Sequence, residues 1–276
     1  MNRMWVDRTV VCGTLAALVA GATVGLEAQR GRGGGPAGPP QPARTAAPVD
    51  LTGYWVSVVT QDWRWRMMTP EKGDFGRIPL SPAGRELAEA WDPTADEAAG
   101  EQCKSYGAPA LMSVPGRLRI TWENDETLRV DTDAGMQTRL LRFDIREAPA
   151  DAPRTWQGVS VAEWQVSRGN VPLMLRPADR VDAGTPPARP RGGAIRVVTT
   201  NLRSGYLRKN GVPYSEDTVL TEHWDAFTHG NGDEWLTITA QVEDPQYLRQ
   251  ARLTAWSFKR EMDGSKWAPT PCSATW

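Results

Sequence analysis

The segment LTGYWVSVVTQDWRWRMM, residues 51–68, constrains the fold of this chain more than any other. Side chains alternate across an extended strand, so Trp55, Val59, Trp63 and Trp65 share one face, while Val58, Thr60, Asp62, Arg64 and Arg66 share the other. Aromatic walls of this kind suit an apolar cavity, and the segment reads as the first strand of a Trp-lined β-barrel.

What precedes this strand sets the compartment. Residues 1–29 carry Arg3 and Arg8, an apolar run from Thr9 to Val24 and a small-residue exit at Leu26-Glu27-Ala28, which is the pattern of a secretory signal peptide. The run is shorter than the roughly 18 residues a membrane-spanning helix needs, so no stable membrane insertion is expected after cleavage. Residues 30–49, RGRGGGPAGPPQPARTAAPV, hold almost no large apolar side chain and read as a disordered linker. Residues 50–276 then fit a single β-barrel domain. The expected location is periplasmic or secreted.

Cys12 leaves with the signal peptide, and Cys103 and Cys272 stay in a compartment that oxidises thiols. A disulfide between them is expected, contributing about 4 kcal/mol or more in the chain-entropy model. A metal site would want more Cys and His ligands, and none is expected. A net charge of −1, from 32 Lys and Arg against 33 Asp and Glu, offers no basic face for nucleic acid.

Leu80-Ser81-Pro82 starts a helix, with Ser81 as cap, Pro82 in the first turn and Leu87, Ala88 and Trp91 at helical spacing. Thr94-x-x-Glu97 looks like a capping box for a second short turn that leads to Cys103. These elements interrupt the strands and read either as a lid over a barrel mouth or as a plug at its bottom. From Arg117 a β-meander follows. RLRITW places Leu118, Ile120 and Trp122 on one face, TLRVDT and MQTRLLRFD continue, and further strands fall near 155–166, 194–203, 217–227, 234–243 and 252–260. Residues 169–193 read as a loop, and His229-Gly230-Asn231-Gly232-Asp233 as a hairpin turn. The fold class is mainly β: an antiparallel lipocalin-like barrel of about 8–10 strands with a short helical insertion, or a β-sandwich.

Gly53-Tyr54-Trp55 followed by an up-and-down β pattern resembles the lipocalin-like, or calycin, barrels. Three further stretches resemble a widespread group of secreted bacterial proteins of unassigned function. They are Cys103-Lys-Ser-Tyr-Gly107-Ala-Pro109-Ala-Leu-Met112-Ser-Val-Pro115, then Gly158-Val-Ser160-Val161-Ala-Glu-Trp164, then Glu222-His223-Trp224 leading to Val242-Glu243-Asp244-Pro245. The chain departs from that group's pattern at His223, Trp224 and the stretch 249–253. The resemblance implies export and a β fold; it implies no established reaction.

Candidate chemistry centres on Glu222, which alternation places with Leu220, Trp224 and Ala226 on the inward face. A buried carboxylate there would serve as a general acid or base, or pair with an inward arginine such as Arg142. His223 and Asp225 share the opposite face and His229 sits in the following turn, a set that reads as solvated. No Gly-x-Ser-x-Gly elbow is present. Between two strands, residues 204–218 hold Tyr206, Arg208, Lys209 and Tyr214, which could bind the polar or anionic end of a ligand at a barrel mouth, while Asn210-Gly211 makes the turn. The cavity walls would be Trp55, Trp63, Trp65, Trp122, Trp164 and Trp224.

The leading expectation is an exported protein that holds a small, largely apolar or amphipathic molecule in a Trp-lined cavity without a cofactor. A second is a cofactor-independent isomerase, hydratase or lyase using Glu222 as general acid/base. A third is a cell-envelope interaction module with a protein partner.

Overall fold

Eleven strands, five short α-helices and one 3-10 helix at Gln102–Tyr106 lie within the residues described by the computed structural model, 41–165 and 193–275. The expected signal peptide, linker residues 30–40 and loop residues 169–192 lie outside them. In chain order the elements are α1 (Ala43–Ala46), β1 (Gly53–Val58), α2 (Trp63–Arg66), α3 (Pro82–Ala90), α4 (Pro93–Ala98), α5 (Ala108–Leu111), β2 (Arg117–Asn124), β3 (Thr127–Thr132), β4 (Thr138–Arg142) and β5 (Val159–Gln165). They continue with β6 (Ala194–Thr200), β7 (Gly205–Arg208), β8 (Val212–Tyr214), β9 (Val219–Thr228), β10 (Glu234–Glu243) and β11 (Arg252–Glu261).

Nine of these strands close a barrel in the order β1, β11, β10, β9, β6, β5, β4, β3, β2, and β7 with β8 forms a separate hairpin. The barrel is not strictly antiparallel, because β4 and β5 pair in parallel through Leu141 with Ser160 and Arg142 with Val161. Strand count explains this. Directions that alternate around a closed ring require an even number of strands, so nine force one parallel neighbour.

Alternation puts Trp55, Ile120, Val130, Leu141, Trp224, Ile238 and Phe258 inward, and all are buried in one continuous apolar cluster. Side chains fill a barrel of this size. The hairpin at 229–233 closes as expected, with the His229 N–H donating to the Asp233 carbonyl at 2.8 Å.

The first strand is shorter than the sequence pattern implies. Asp62 adopts a left-handed conformation at φ 54°, which turns the chain, and Trp63–Arg66 folds as one helical turn capped by that residue. Two residues apart on a helix point to roughly opposite sides, so Trp63 and Trp65 diverge and do not share the face of Trp55. The helical start at Ser81 holds, its Oγ accepting from the Gly84 N–H at 3.0 Å. The second start does not. The cap of α4 is Asp92, whose carboxylate accepts from the N–H of Thr94 and Ala95, with Pro93 in the first turn.

Residues 59–116 cover the barrel end where β9 begins and β10 finishes. Leu80 bridges to Leu248, and the Ser81 N–H donates to the Tyr247 carbonyl at 2.8 Å. Gly211, at φ 78°, turns the β7–β8 hairpin with its α-carbon against the Trp91 ring, where a Cβ would approach within 2.2 Å. The Cys103–Cys272 disulfide ties this cap to the C-terminal tail. At the opposite end the Trp122, Phe143 and Trp164 rings cluster, Phe143 and Trp164 stacking at 5.1 Å. The last residues of the expected linker pack over them. Ala43 is buried and its carbonyl accepts from the Trp164 indole N–H at 2.9 Å, so residues 42–49 are part of the folded unit and not free tether.

Candidate functional site

Between the capped barrel end and the cap itself, α2, β7 and the start of β11 bring four cations to one hollow. Its volume is about 30 Å³, and its wall includes Asp62, Trp65, Arg66, Arg208, Lys209, Arg252 and Trp256. That holds a small ionic group or a few waters, well below the roughly 300–1,000 Å³ that encloses a drug-sized ligand.

Each cation arrives by a local rule. The helical turn of α2 sends Arg66 into the protein, where Nε donates to the Ser113 carbonyl at 2.8 Å. The same turn sets the Trp65 ring between two guanidinium groups, Arg64 at 4.8 Å and Arg208 at 4.7 Å, and the indole N–H donates to Asp74 at 2.9 Å. Arg208, at the end of β7, donates to the Gly76 carbonyl at 3.1 Å. Lys209 donates to the Tyr106 hydroxyl at 2.6 Å and the Ser273 carbonyl at 3.2 Å. Arg252 opens β11 on the inward parity of Trp256 and Phe258, 7 % exposed, and its Nη1 is buried without a hydrogen-bond partner among the described residues.

The electrostatics are unbalanced towards positive. Among the described residues, Arg66, Arg208 and Arg252 have no carboxylate oxygen within ion-pair distance, whereas Asp62 is already bound by Arg77 at 2.6 Å and Asp74 by Arg64 at 2.6 Å. Burial pushes the Arg66 guanidinium down to about 10. Burial, then the neighbouring Arg252 charge, does the same for Arg208, also to about 10. Burial lowers Arg252, and it holds the Lys209 ammonium down to about 8. Charges removed from water without counter-charges cost several kcal/mol apiece. An anion entering the hollow would offset that cost.

The other sequence-selected residues lie elsewhere. Glu222 points inward as expected and is 0 % exposed, but its partner is Arg139 and not Arg142. Nη1 and Nη2 of Arg139 donate to Oε1 and Oε2 at 3.2 and 2.7 Å, and Nη2 also reaches Ser160 and Thr199. Arg142 faces outward and pairs with Asp144 at 2.8 Å. With both oxygens engaged, the geometry gives Glu222 the place of a core ion pair. Trp55 and Trp224 are packed in the core, the Trp55 indole donating to the Leu51 carbonyl at 2.9 Å. Trp122 and Trp164 belong to the cluster at the far end. Trp63 projects into solvent, 65 % exposed.

Of the hairpin residues, Arg208 and Lys209 reach the hollow. The Tyr206 hydroxyl donates instead to Asp96 at 2.9 Å, and burial pushes its pKa up, keeping the phenol protonated. Tyr214 is buried against Gly107 and Gly205, its hydroxyl without a hydrogen-bond partner among the described residues. His223 bonds Gln165 and His229 bonds Asn231, both exposed. Among the described residues no three His, Cys, Asp or Glu side chains converge to hold a metal.

Arg252 and Arg139 escaped the sequence reading. Alternation in RLTAWSF puts Arg252 with Trp256 and Phe258, a usable signal. Arg139 had none, because Leu140-Leu141 makes either parity of TRLLR equally apolar. No family model, curated protein or solved structure matches the chain.

Proposed function

We propose that this is an exported barrel protein that binds the anionic group of a small amphipathic molecule in the hollow between Arg66, Arg208 and Arg252. One observation carries the reading: three buried guanidinium groups face one hollow, none with a carboxylate partner among the described residues, and one has an orphan donor atom. Guanidinium forks match planar and tetrahedral oxyanions, and desolvated charge-assisted bonds are the strong ones. Trp65 and Trp256 form the apolar part of the hollow's wall. Membership of the secreted group named above is part of the proposal, supported by the order of its three motifs. Export to an oxidising compartment is supported by the signal-like N-terminus and by the Cys103–Cys272 bond.

The test is thermal unfolding with sulfate, inorganic phosphate, acetate and benzoate, against acetamide and benzamide as neutral controls. Anions should raise the midpoint in a saturable way, by RT ln(1 + [L]/Kd) in free energy, and the amides should not. Arg208→Met and Arg252→Met should each abolish the rise. Equal responses to acid and amide, or a rise unaltered in both variants, refute the reading.

A further inference from the structure

We infer that the anionic group seated in the hollow is a phosphoryl group that keeps a P–OH, donating to Asp62 while its bare oxygens accept from Arg66, Arg208 and Arg252; this rests on the anion reading above. Among the described residues, Asp62 is the one carboxylate in the wall of the hollow. Its side chain is 16 % exposed, and Oδ1 accepts from Arg77 at 2.6 Å. Oδ2 accepts no hydrogen bond among the described residues, and none of the three buried guanidinium groups lies within ion-pair distance of this carboxylate. Burial lowers the pKa of Arg66, Arg208 and Arg252, and the Asp62 charge opposes that lowering at all three. An acceptor and three cations therefore share one hollow across a gap wider than an ion pair. A group that both donates and accepts spans it.

The donors can be counted. Arg66 Nε and Nη2 donate to the Ser113 and Met112 carbonyls at 2.8 and 3.4 Å, and Arg208 Nη1 and Nη2 to the Asp74 and Gly76 carbonyls at 3.4 and 3.1 Å. These bonds to backbone fix the two forks. Arg66 Nη1, Arg208 Nε and Arg252 Nη1 are left without an acceptor among the described residues. Three donors and one acceptor complement the three bare oxygens and single hydroxyl of hydrogen phosphate. A protonated phosphate monoester meets the same set with one oxygen carrying its substituent.

Competing groups fail on proton or charge. Sulfate and simple carboxylates hold no proton at neutral pH, so an oxygen set against Asp62 meets a second acceptor, because an ionised carboxylate cannot donate. The Ser105, Ser113 and Thr254 hydroxyls in the wall turn either way and do not discriminate. An amino-acid zwitterion offers Asp62 a donor, but it brings no net charge to three guanidinium groups beside a carboxylate already paired with Arg77. Hydrogen phosphate brings two negative charges and one proton in a compact group, as a hollow of about 30 Å³ requires.

The experiment titrates the exported protein by calorimetry with inorganic phosphate, sulfate, phenyl phosphate and phenyl sulfate. It runs at about pH 6, where inorganic phosphate and a good share of phenyl phosphate keep a P–OH and neither sulfate does. Phosphate is expected to bind at least about tenfold more tightly than sulfate. A similar preference for phenyl phosphate over phenyl sulfate assigns an ester as the occupant; binding of inorganic phosphate without either ester assigns the free ion. Asp62→Asn keeps a residue that tolerates the left-handed backbone at 62. Its amide either donates or accepts, so the preference should shrink to within about threefold as sulfate gains a donor. Arg252→Met should lose all four. Equal affinity of the parent protein for phosphate and sulfate, or a preference for sulfate, overturns the P–OH inference and leaves the anion site. A phosphate preference unchanged in Asp62→Asn overturns it too. Binding of none of the four to the parent protein removes the anion reading beneath it.

Discussion

Glu222→Gln removes the counter-charge of a guanidinium that has no other carboxylate among the described residues. Arg139 is 1 % exposed and Glu222 0 % exposed, so solvent can replace neither partner. Glutamine keeps one acceptor oxygen and turns an NH2 towards a donor, which breaks one of the two parallel bonds at 2.7 and 3.2 Å. Breaking a buried pair by removing one partner costs about 3–5 kcal/mol. For a domain of this size that lowers the thermal midpoint by roughly 6–20 °C. The double variant R139M/E222L removes both charges at similar volume, and Ser160 and Thr199 still bond each other at 2.7 Å. Its stability is expected within about 1 kcal/mol of the parent, far from the roughly 6–10 kcal/mol that the two single losses would sum to, so the cycle shows strong coupling. Arg142→Met, at the exposed pair with Asp144, should cost at most about 0.5 kcal/mol. Urea unfolding with an unchanged m-value is the assay. A Glu222→Gln cost under about 1 kcal/mol, or a double variant as unstable as the summed singles, would refute the buried pair.

Three further outcomes follow from the same structure. Arg252→Met removes an uncompensated charge, so the ligand-free protein should gain about 1–3 kcal/mol in urea unfolding while losing anion binding; a loss of stability would contradict the orphan donor. Burial holds Lys209 at about 8, below its unfolded value near 10.4. The folded protein therefore releases this proton first, so its contribution to stability rises with pH between about 8 and 10 and its penalty is full below 8. Sulfate affinity should fall between pH 7 and 9, and Lys209→Met should flatten that profile. Replacing both Cys103 and Cys272 by serine opens a link spanning 169 positions and should cost about 5 kcal/mol in the chain-entropy model, read from the denaturation midpoint.

The inward faces of the barrel were legible wherever alternation was unbroken, as at Leu220, Glu222, Trp224 and Ala226. The Asn210-Gly211 turn and the Ser81-Pro82 helix start were legible because they rest on local backbone chemistry. Trp63 and Trp65 were not, since the helical turn that separates them depends on a left-handed Asp62 and on Asp74 and Arg208, the latter distant in sequence. The choice of Arg139 over Arg142 turns on register across a Leu-Leu step. The parallel β4–β5 pair was invisible because periodicity carries no strand direction, although a firm count of nine would have required it. At Asp92-Pro93, a cap followed by proline outcompetes Thr94-x-x-Glu97 by starting the helix earlier. The hollow itself was half legible: Arg208 and Lys209 stand in the 204–218 segment read for polar or anionic contact, Arg252 shares the inward parity of Trp256 and Phe258, and Arg66 was hidden by the helical turn that replaces the expected strand.

Side-chain nitrogen NMR of the arginine Nε–Hε groups, followed through a sulfate titration with assignments from single Arg→Lys variants, addresses the anion site most directly. The expected result is saturable shifts confined to Arg66, Arg208 and Arg252, sharing one dissociation constant, with Arg139 unmoved behind its ion pair. Shifts spread over exposed arginines such as Arg64 and Arg77 and linear in sulfate, with the three buried groups unchanged, would contradict an anion-binding cleft.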